Sequence, residues 1–261
     1  MNGYGILKTL MLDFPESIIH FPLPEDGQLK PLWELAADLI PVCDMLTDKG
    51  TEIAASFDQH VSCAKGCGVC CCQMVPLSPP EAAVIADVVD HLSPVRRNEV
   101  VAAFAAAREK LESAGIYDRI SAVYSITTDE KTVLEINRRY FELSIPCPFL
   151  VDGACSIYLR RPSRCREYSV LSPASLCGNP FDNHIRRLPL TIRFCEALTH
   201  AWAGIANEKP VIVPLVKALD WVHDHPGIRS LCIDKSESFA RTVLEFACWK
   251  ANLRARERMK E

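Results

Sequence analysis

Residues 60–72 read His60-Val61-Ser62-Cys63-Ala64-Lys65-Gly66-Cys67-Gly68-Val69-Cys70-Cys71-Cys72, placing five of the chain's 13 cysteines within ten positions. Core packing rarely needs a small polarisable side chain with four like neighbours, so the density itself asks for another cause. Thiolates are soft anionic donors, and three on a short loop can converge on one iron or zinc at small closure cost. Gly66 and Gly68 flank Cys67. Lacking a β-carbon, both are expected to allow the positive-φ turns that wrap backbone round a metal and aim amide N–H groups at sulfur. Disulfide pairing is the competing reading, and a reducing compartment disfavours it. The stretch reads as metal-binding.

The remainder of the composition is ordinary. At 261 residues, 49% hydrophobic and 24% charged, the chain can bury a substantial core. A net charge of −4 gives no pull toward nucleic acid or an acidic membrane. No uncharged apolar run of about 18 residues is present to span a bilayer. Met1-Asn2-Gly3-Tyr4-Gly5 lacks the basic-then-apolar pattern of a signal peptide. These features imply a cytoplasmic protein, and an odd cysteine count fits thiols kept reduced for metal. With no internal repeat and no clear boundary, residues 1–261 read as one cysteine-cluster domain.

Helical periodicity dominates on either side of the cluster. Residues 1–27, with Pro15, Pro22 and Pro24, suggest an extended arm. Leu32, Leu35, Leu39, Cys43 and Leu46 form a helical stripe that Pro41 should break, with Cys43 as a buried small hydrophobe. Ser78-Pro79-Pro80-Glu81 has the form of a capping box, followed by Val84, Ile85, Val88, Val89 and Leu92 on one face. Ser93-Pro94 starts a second helix through Val100, Phe104, Ala107 and Leu111, stopping near Gly115. Further stripes run through Val133, Ile136, Tyr140 and Leu143; through Phe194, Cys195, Leu198 and Trp202; through Val211, Leu215, Leu219 and Val222; and through Phe239, Val243, Phe246 and Leu253. The fold class is therefore mainly α, with a cysteine-rich loop region and a small β-hairpin.

That hairpin belongs to a second cysteine-bearing stretch. Between Pro146 and Pro189 prolines are frequent and periodicity fades, the texture of a functional or metal-pinned loop. Asp152-Gly153 between short apolar runs is a strong two-residue turn signal, and such a turn would bring Cys147 and Cys155 together. Pro162 can start a helical turn that presents Cys165.

The two stretches together resemble the CxxCxxCC cysteine-cluster family, called YkgJ-like and described as a zinc- or iron-chelating domain. The first motif is similar to Cys63, Cys67, Cys70 and Cys71. The second is similar to Cys147-Pro148-Phe149-Leu150, Cys155-Ser156-Ile157-Tyr158, Arg161-Pro162 and Cys165-Arg166. The resemblance covers residues 63–166 and implies that Cys63, Cys67, Cys70, Cys71, Cys147, Cys155 and Cys165 are metal ligands. The family includes proteins similar to flagellin lysine N-methylases, which implies a protein-modifying role on a protein substrate. This chain departs from the pattern by adding Cys72 and by carrying Cys177 and Cys195 downstream, three candidates for an eighth ligand.

Seven thiolates exceed the four that one structural zinc accepts, so two centres or one polynuclear cluster are expected. Adjacent residues such as Cys70 and Cys71 are expected to point apart, toward neighbouring metal ions. Arg160, Arg161, Arg164 and Arg166 crowd Cys165, and Lys65 lies in the first loop. Positive charge lowers thiol pKa values and offsets a thiolate-bound centre, which favours an iron–sulfur cluster over zinc. An open iron position could take substrate or S-adenosylmethionine. Cys63-x3-Cys67-x2-Cys70 also has radical S-adenosylmethionine spacing, but the βα units of those barrels are missing from the pattern. Non-catalytic alternatives are a zinc-fastened module that binds a protein partner, and metal delivery. His60 and His223-Asp224-His225 read as surface and helix-end groups, and Cys232 and Cys248 as core. Nucleotide-binding and serine-hydrolase signatures are missing, and the basic run from Lys250 to Lys260 reads as favouring its own helix end rather than nucleic acid.

Overall fold

A computed structural model describes residues 9–14, 17–22, 26–122, 129–188 and 194–246. The chain is mainly α-helical, and the β structure among the described residues is four two-stranded antiparallel pairs rather than one hairpin. β1 (Thr9–Phe14) pairs with β2 (Ser17–Pro22), so the expected extended arm contains a hairpin. The three other ladders are each two residues long. β3 (Lys30–Pro31) pairs with β8 (Cys232–Ile233), β4 (Pro76–Leu77) with β7 (Val213–Pro214), and β5 (Leu150–Val151) with β6 (Ala154–Cys155).

Helices begin and end where the chemistry of single residues dictates. α1 (Leu32–Leu39) and α2 (Val42–Ser56) are separated at Pro41, which cannot donate a backbone hydrogen bond and so ends the first helix. α3 (Pro79–Asp90) opens on a complete capping box: Ser78 Oγ accepts from the Glu81 amide, and Glu81 accepts from the Ser78 amide. Such a cap contributes about 1 kcal/mol. α4 (Pro94–Ser113) stops before Gly115, which has φ +65°. α5 (Arg119–Ala122), α6 (Glu130–Glu142), α7 (Ser163–Glu167), α8 (Phe194–Ala206) and α9 (Ala218–Asp224) follow, and a last helix includes residues 236–246.

The stripe from Val211 to Val222 is not one helix. Pro214 sits in β7, a 3₁₀ turn occupies Leu215–Lys217, and only then does α9 start, because proline removes a donor that a continuous helix would use. Leu253, Cys248 and the basic run from Lys250 lie outside the described residues. α3 is the hub, packing on α1, α8 and α9 and burying Ala82, Ala83, Ile85 and Val89 in the main core. A second core joins Ala107 and Leu111 of α4 to Ile136 and Tyr140 of α6. Among the described residues no helix is long and apolar enough to cross a membrane.

Candidate metal centre

The first cysteine loop follows α2 and leads into β4. Its turn is made at Gly66, where φ is +91°, a conformation that glycine adopts without penalty. Gly68 behaves differently from the expectation, since its φ is −99°. Glycine is needed there for space: a β-carbon would stand 2.6 Å from the Gly153 carbonyl oxygen and 2.8 Å from Leu150 Cδ1. The loop thus lies directly on the β5–β6 hairpin. It continues into a 3₁₀ turn, Val69–Cys72, that carries three of the cysteines.

The second stretch is built as its local signals imply. Asp152 (φ 49°) and Gly153 (φ 78°) both occupy the left-handed region, closing the two-residue turn and setting Leu150 opposite Cys155. Pro162 precedes α7, whose third residue is Cys165. The two stretches are stitched together through backbone: the Cys147 amide donates to the Cys71 carbonyl at 2.8 Å, and the Ser62 amide to Val170 O at 2.9 Å. The Val170 amide also donates to Cys63 Sγ at 3.4 Å, an N–H aimed at sulfur.

The result is a cavity of about 1030 Å³ whose lining includes all seven sequence-named cysteines: Cys63, Cys67, Cys70, Cys71, Cys147, Cys155 and Cys165. Cys177 lines it too, from a 3₁₀ turn at Ala174–Gly178 packed on the Val69–Cys72 turn. The other two candidates for the eighth position lie elsewhere. Cys72 neighbours Cys147 without lining the cavity, and Cys195 is buried in α8 beside Glu81 and Glu167. Cys43 is 1% exposed in the core, with its sulfur 4.0 Å from Glu167 Oε1.

Cys70 and Cys71 do not point apart as expected. Both line the cavity, and the hydrogen bond that the Cys70 S–H donates to the Cys71 sulfur is the leading reason that the Cys70 thiol is raised far above its ordinary range, ahead of burial. Their 3₁₀ turn brings consecutive side chains round toward one wall. Burial raises Cys63, Cys155, Cys165 and Cys177, and pushes Cys147 up to about 12. All of the described cysteines are free thiols. As their side chains stand, no three Cys, His, Asp or Glu residues among the described ones are gathered closely enough to hold a metal ion.

The four arginines separate into distinct roles. Arg160 pairs with Asp87 at 3.3 Å on the surface, and Arg164 reaches Glu167 at 3.5 Å. Arg166, 6% exposed, clamps the turn before α7 by donating to Arg161 O at 3.0 Å, Leu159 O at 2.7 Å and the Asp44 carboxylate. Arg161 pairs with Asp44 Oδ1 at 3.6 Å and also faces the cavity sulfurs. It lies over the Tyr158 ring at 4.0 Å, and its charge lowers the thiols of Cys70, Cys155 and Cys165 against the effect of burial. Its buried Nε has no hydrogen-bond partner. Lys65 also lines the cavity.

Two supports were not visible in the sequence. Glu81, 1% exposed, reads only as a helix cap, yet its Oε1 also accepts from the Ser163 amide at 2.8 Å and so anchors α7 beneath Cys165. Tyr168 donates toward Cys177 while Gln73 Nε2 donates to its hydroxyl at 3.4 Å. Neither contact has a local sequence signal. His60 lies exposed, 3.6 Å from Asp58, and His225 Nδ1 meets the Trp221 carbonyl at 2.7 Å, as a surface and a helix-end group would.

Soft donors, room among them, a guanidinium whose buried Nε has no hydrogen-bond partner and an amide aimed at sulfur together fit the donor chemistry of a thiolate-bound metal. No family model, no curated protein and no solved structure matches this chain.

Proposed function

We propose that this protein is a metalloprotein in which Cys63, Cys67, Cys70, Cys71, Cys147, Cys155 and Cys165 hold a thiolate-bound polynuclear centre, with iron–sulfur favoured over zinc. The observation that carries this reading is the convergence of all seven thiols, from segments up to 102 positions apart, on one cavity. When bound, an iron–sulfur centre would supply electron transfer or an open iron position.

The chain's own groups have separable tasks. The cysteines give up protons as they bind, since burial keeps most of them protonated without metal. The Val170 amide and the Arg161 guanidinium offset negative charge gathering on sulfur. The wall formed by Val133, Asn137 and Phe141 of α6 leaves room beside the sulfurs for a substrate. That room favours a reactive centre over a closed structural one, and it suits the protein-modifying role that the family resemblance implies.

Anaerobic purification followed by analysis for iron, zinc and acid-labile sulfide tests the proposal. Iron with equivalent sulfide and a visible sulfide-to-iron charge-transfer band is the expected result. A colourless protein with stoichiometric zinc would replace the iron version by the zinc-fastened module. A chain that holds neither metal, as isolated or after reconstitution, would refute both.

A further inference from the structure

Of the seven cysteines proposed as ligands, Cys67 alone is exposed, whereas the others are partly buried. The difference follows from how the first loop is tied down. At one end the Ser62 amide donates to Val170 O at 2.9 Å, Ser62 Oγ donates to Ser172 O at 2.5 Å, and Cys63 Sγ accepts from the Val170 amide at 3.4 Å. At the other end Gly68 lies hard against the Gly153 carbonyl, and the Cys71 carbonyl accepts from the Cys147 amide at 2.8 Å. Between these anchors residues 64–67 are exposed throughout. Among the described residues their one hydrogen bond is internal, from the Cys67 amide to Ala64 O at 3.0 Å. Gly66 turns the segment at φ +91°, and a β-carbon there would meet nothing within 4 Å. The segment is a short flap with fixed ends and open space about its tip.

Few buried contacts and no hydrogen bond to the body are the physical marks of a segment that opens locally at little cost. Other thiols stand on held elements: Cys70 and Cys71 in the 3₁₀ turn, Cys155 in β6 and Cys165 in α7. As the side chains stand, no three Cys, His, Asp or Glu residues among the described ones are close enough to hold a metal ion, so a donor has to move. Cys67 is the donor on the segment free to do so.

Resting on the proposed metal-binding function, we infer that residues 64–67 are a strap that closes over the cavity when metal binds, carrying Cys67 from solvent onto the sulfurs held below. Lys65, exposed on the same strap and lining the cavity, brings its positive charge to the thiolates as the strap closes. Metal binding and ordering of the loop are then one event.

Amide hydrogen exchange and alkylation, both read by mass spectrometry, test this on the reduced wild-type chain before and after anaerobic loading with iron(II) and sulfide or with zinc(II). Without metal, Cys67 should be alkylated first among the seven. Residues 64–67 should exchange fast while the anchoring amides of Ser62 and Cys147 stay protected. On loading, exchange at Lys65 and Gly66 should slow by about tenfold or more, and alkylation of Cys67 should be lost. Metal uptake with exchange at Lys65 and Gly66 unchanged, or with Cys67 still alkylated, would overturn the strap and leave the metal reading intact. Fast exchange at Ser62 and Cys147 in the metal-free chain would also overturn it, because the ends would not be fixed. A chain that takes up no metal would instead refute the underlying function, and the strap with it.

Discussion

Replacing Gly68 by alanine isolates the contact between the two cysteine segments. With φ −99° and ψ 8°, the backbone at this position is open to alanine, so the substitution introduces no left-handed strain. What it introduces is a methyl group 2.6 Å from Gly153 O and 3.2 Å from Gly153 C, main-chain atoms of a two-residue turn that cannot rotate away. The first loop and the hairpin must separate by several tenths of an ångström or more. Overpacking of this kind costs about 1–3 kcal/mol, and for a chain of this size each 1 kcal/mol lowers Tm by about 2–4 °C. The metal complement should fall alongside, because separation moves Cys67 and Cys70 away from Cys155. Gly66→Ala is the control. Its β-carbon meets nothing within 4 Å, and only the positive φ is penalised, by about 1–2 kcal/mol. Differential scanning calorimetry and elemental analysis of both variants decide the matter. G68A with wild-type Tm and full metal content would refute the close apposition of the segments.

Further outcomes follow from individual supports. Glu81→Ala removes the acceptor for the Ser78 amide and hydroxyl and for the Ser163 amide, so denaturant unfolding should show a loss of about 3 kcal/mol, with E81Q intermediate. Arg161→Gln takes away the charge that favours thiolate at Cys70, Cys155 and Cys165, and competition with a chelator should show metal bound about tenfold more weakly. The same competition run across pH should show affinity falling as pH falls. The metal-free thiols are held protonated by burial, so binding expels protons, and each one expelled contributes up to about tenfold per pH unit. Cys43→Ser should leave metal content unchanged, because that sulfur lies in the core behind α7.

What could be read in advance was local. The capping box at Ser78 and Glu81, the break at Pro41 and the Asp152-Gly153 turn each depend on residues within four positions, and all three stand where the pattern places them. The grouping of the seven cysteines was legible in the density of the first stretch and the turn signal of the second, and all seven line one cavity. Less legible was anything set by distant contact. Gly68 looks like a turn glycine, and only the hairpin lying across it reveals a steric need. Cys177 has no motif of its own and is distinguished from Cys72 and Cys195 by the packing of one 3₁₀ turn on another. Four arginines near Cys165 look alike in sequence, but Arg160 meets Asp87, Arg164 meets Glu167, and Arg161 and Arg166 share Asp44, with the Arg161 charge also lowering the Cys165 thiol. The apolar spacing from Val211 to Val222 imitates a helix across Pro214, where strand pairing with Pro76 prevails.

Sulfur coordination is measured most directly by X-ray absorption at the metal edge of the anaerobically purified chain. An all-sulfur first shell, at about 2.3 Å if the metal is zinc, is the expected result, and it should lose amplitude in C67S and C155S alike. A first shell of nitrogen and oxygen, or a spectrum unchanged by both substitutions, would contradict convergence of the two cysteine segments on a shared metal.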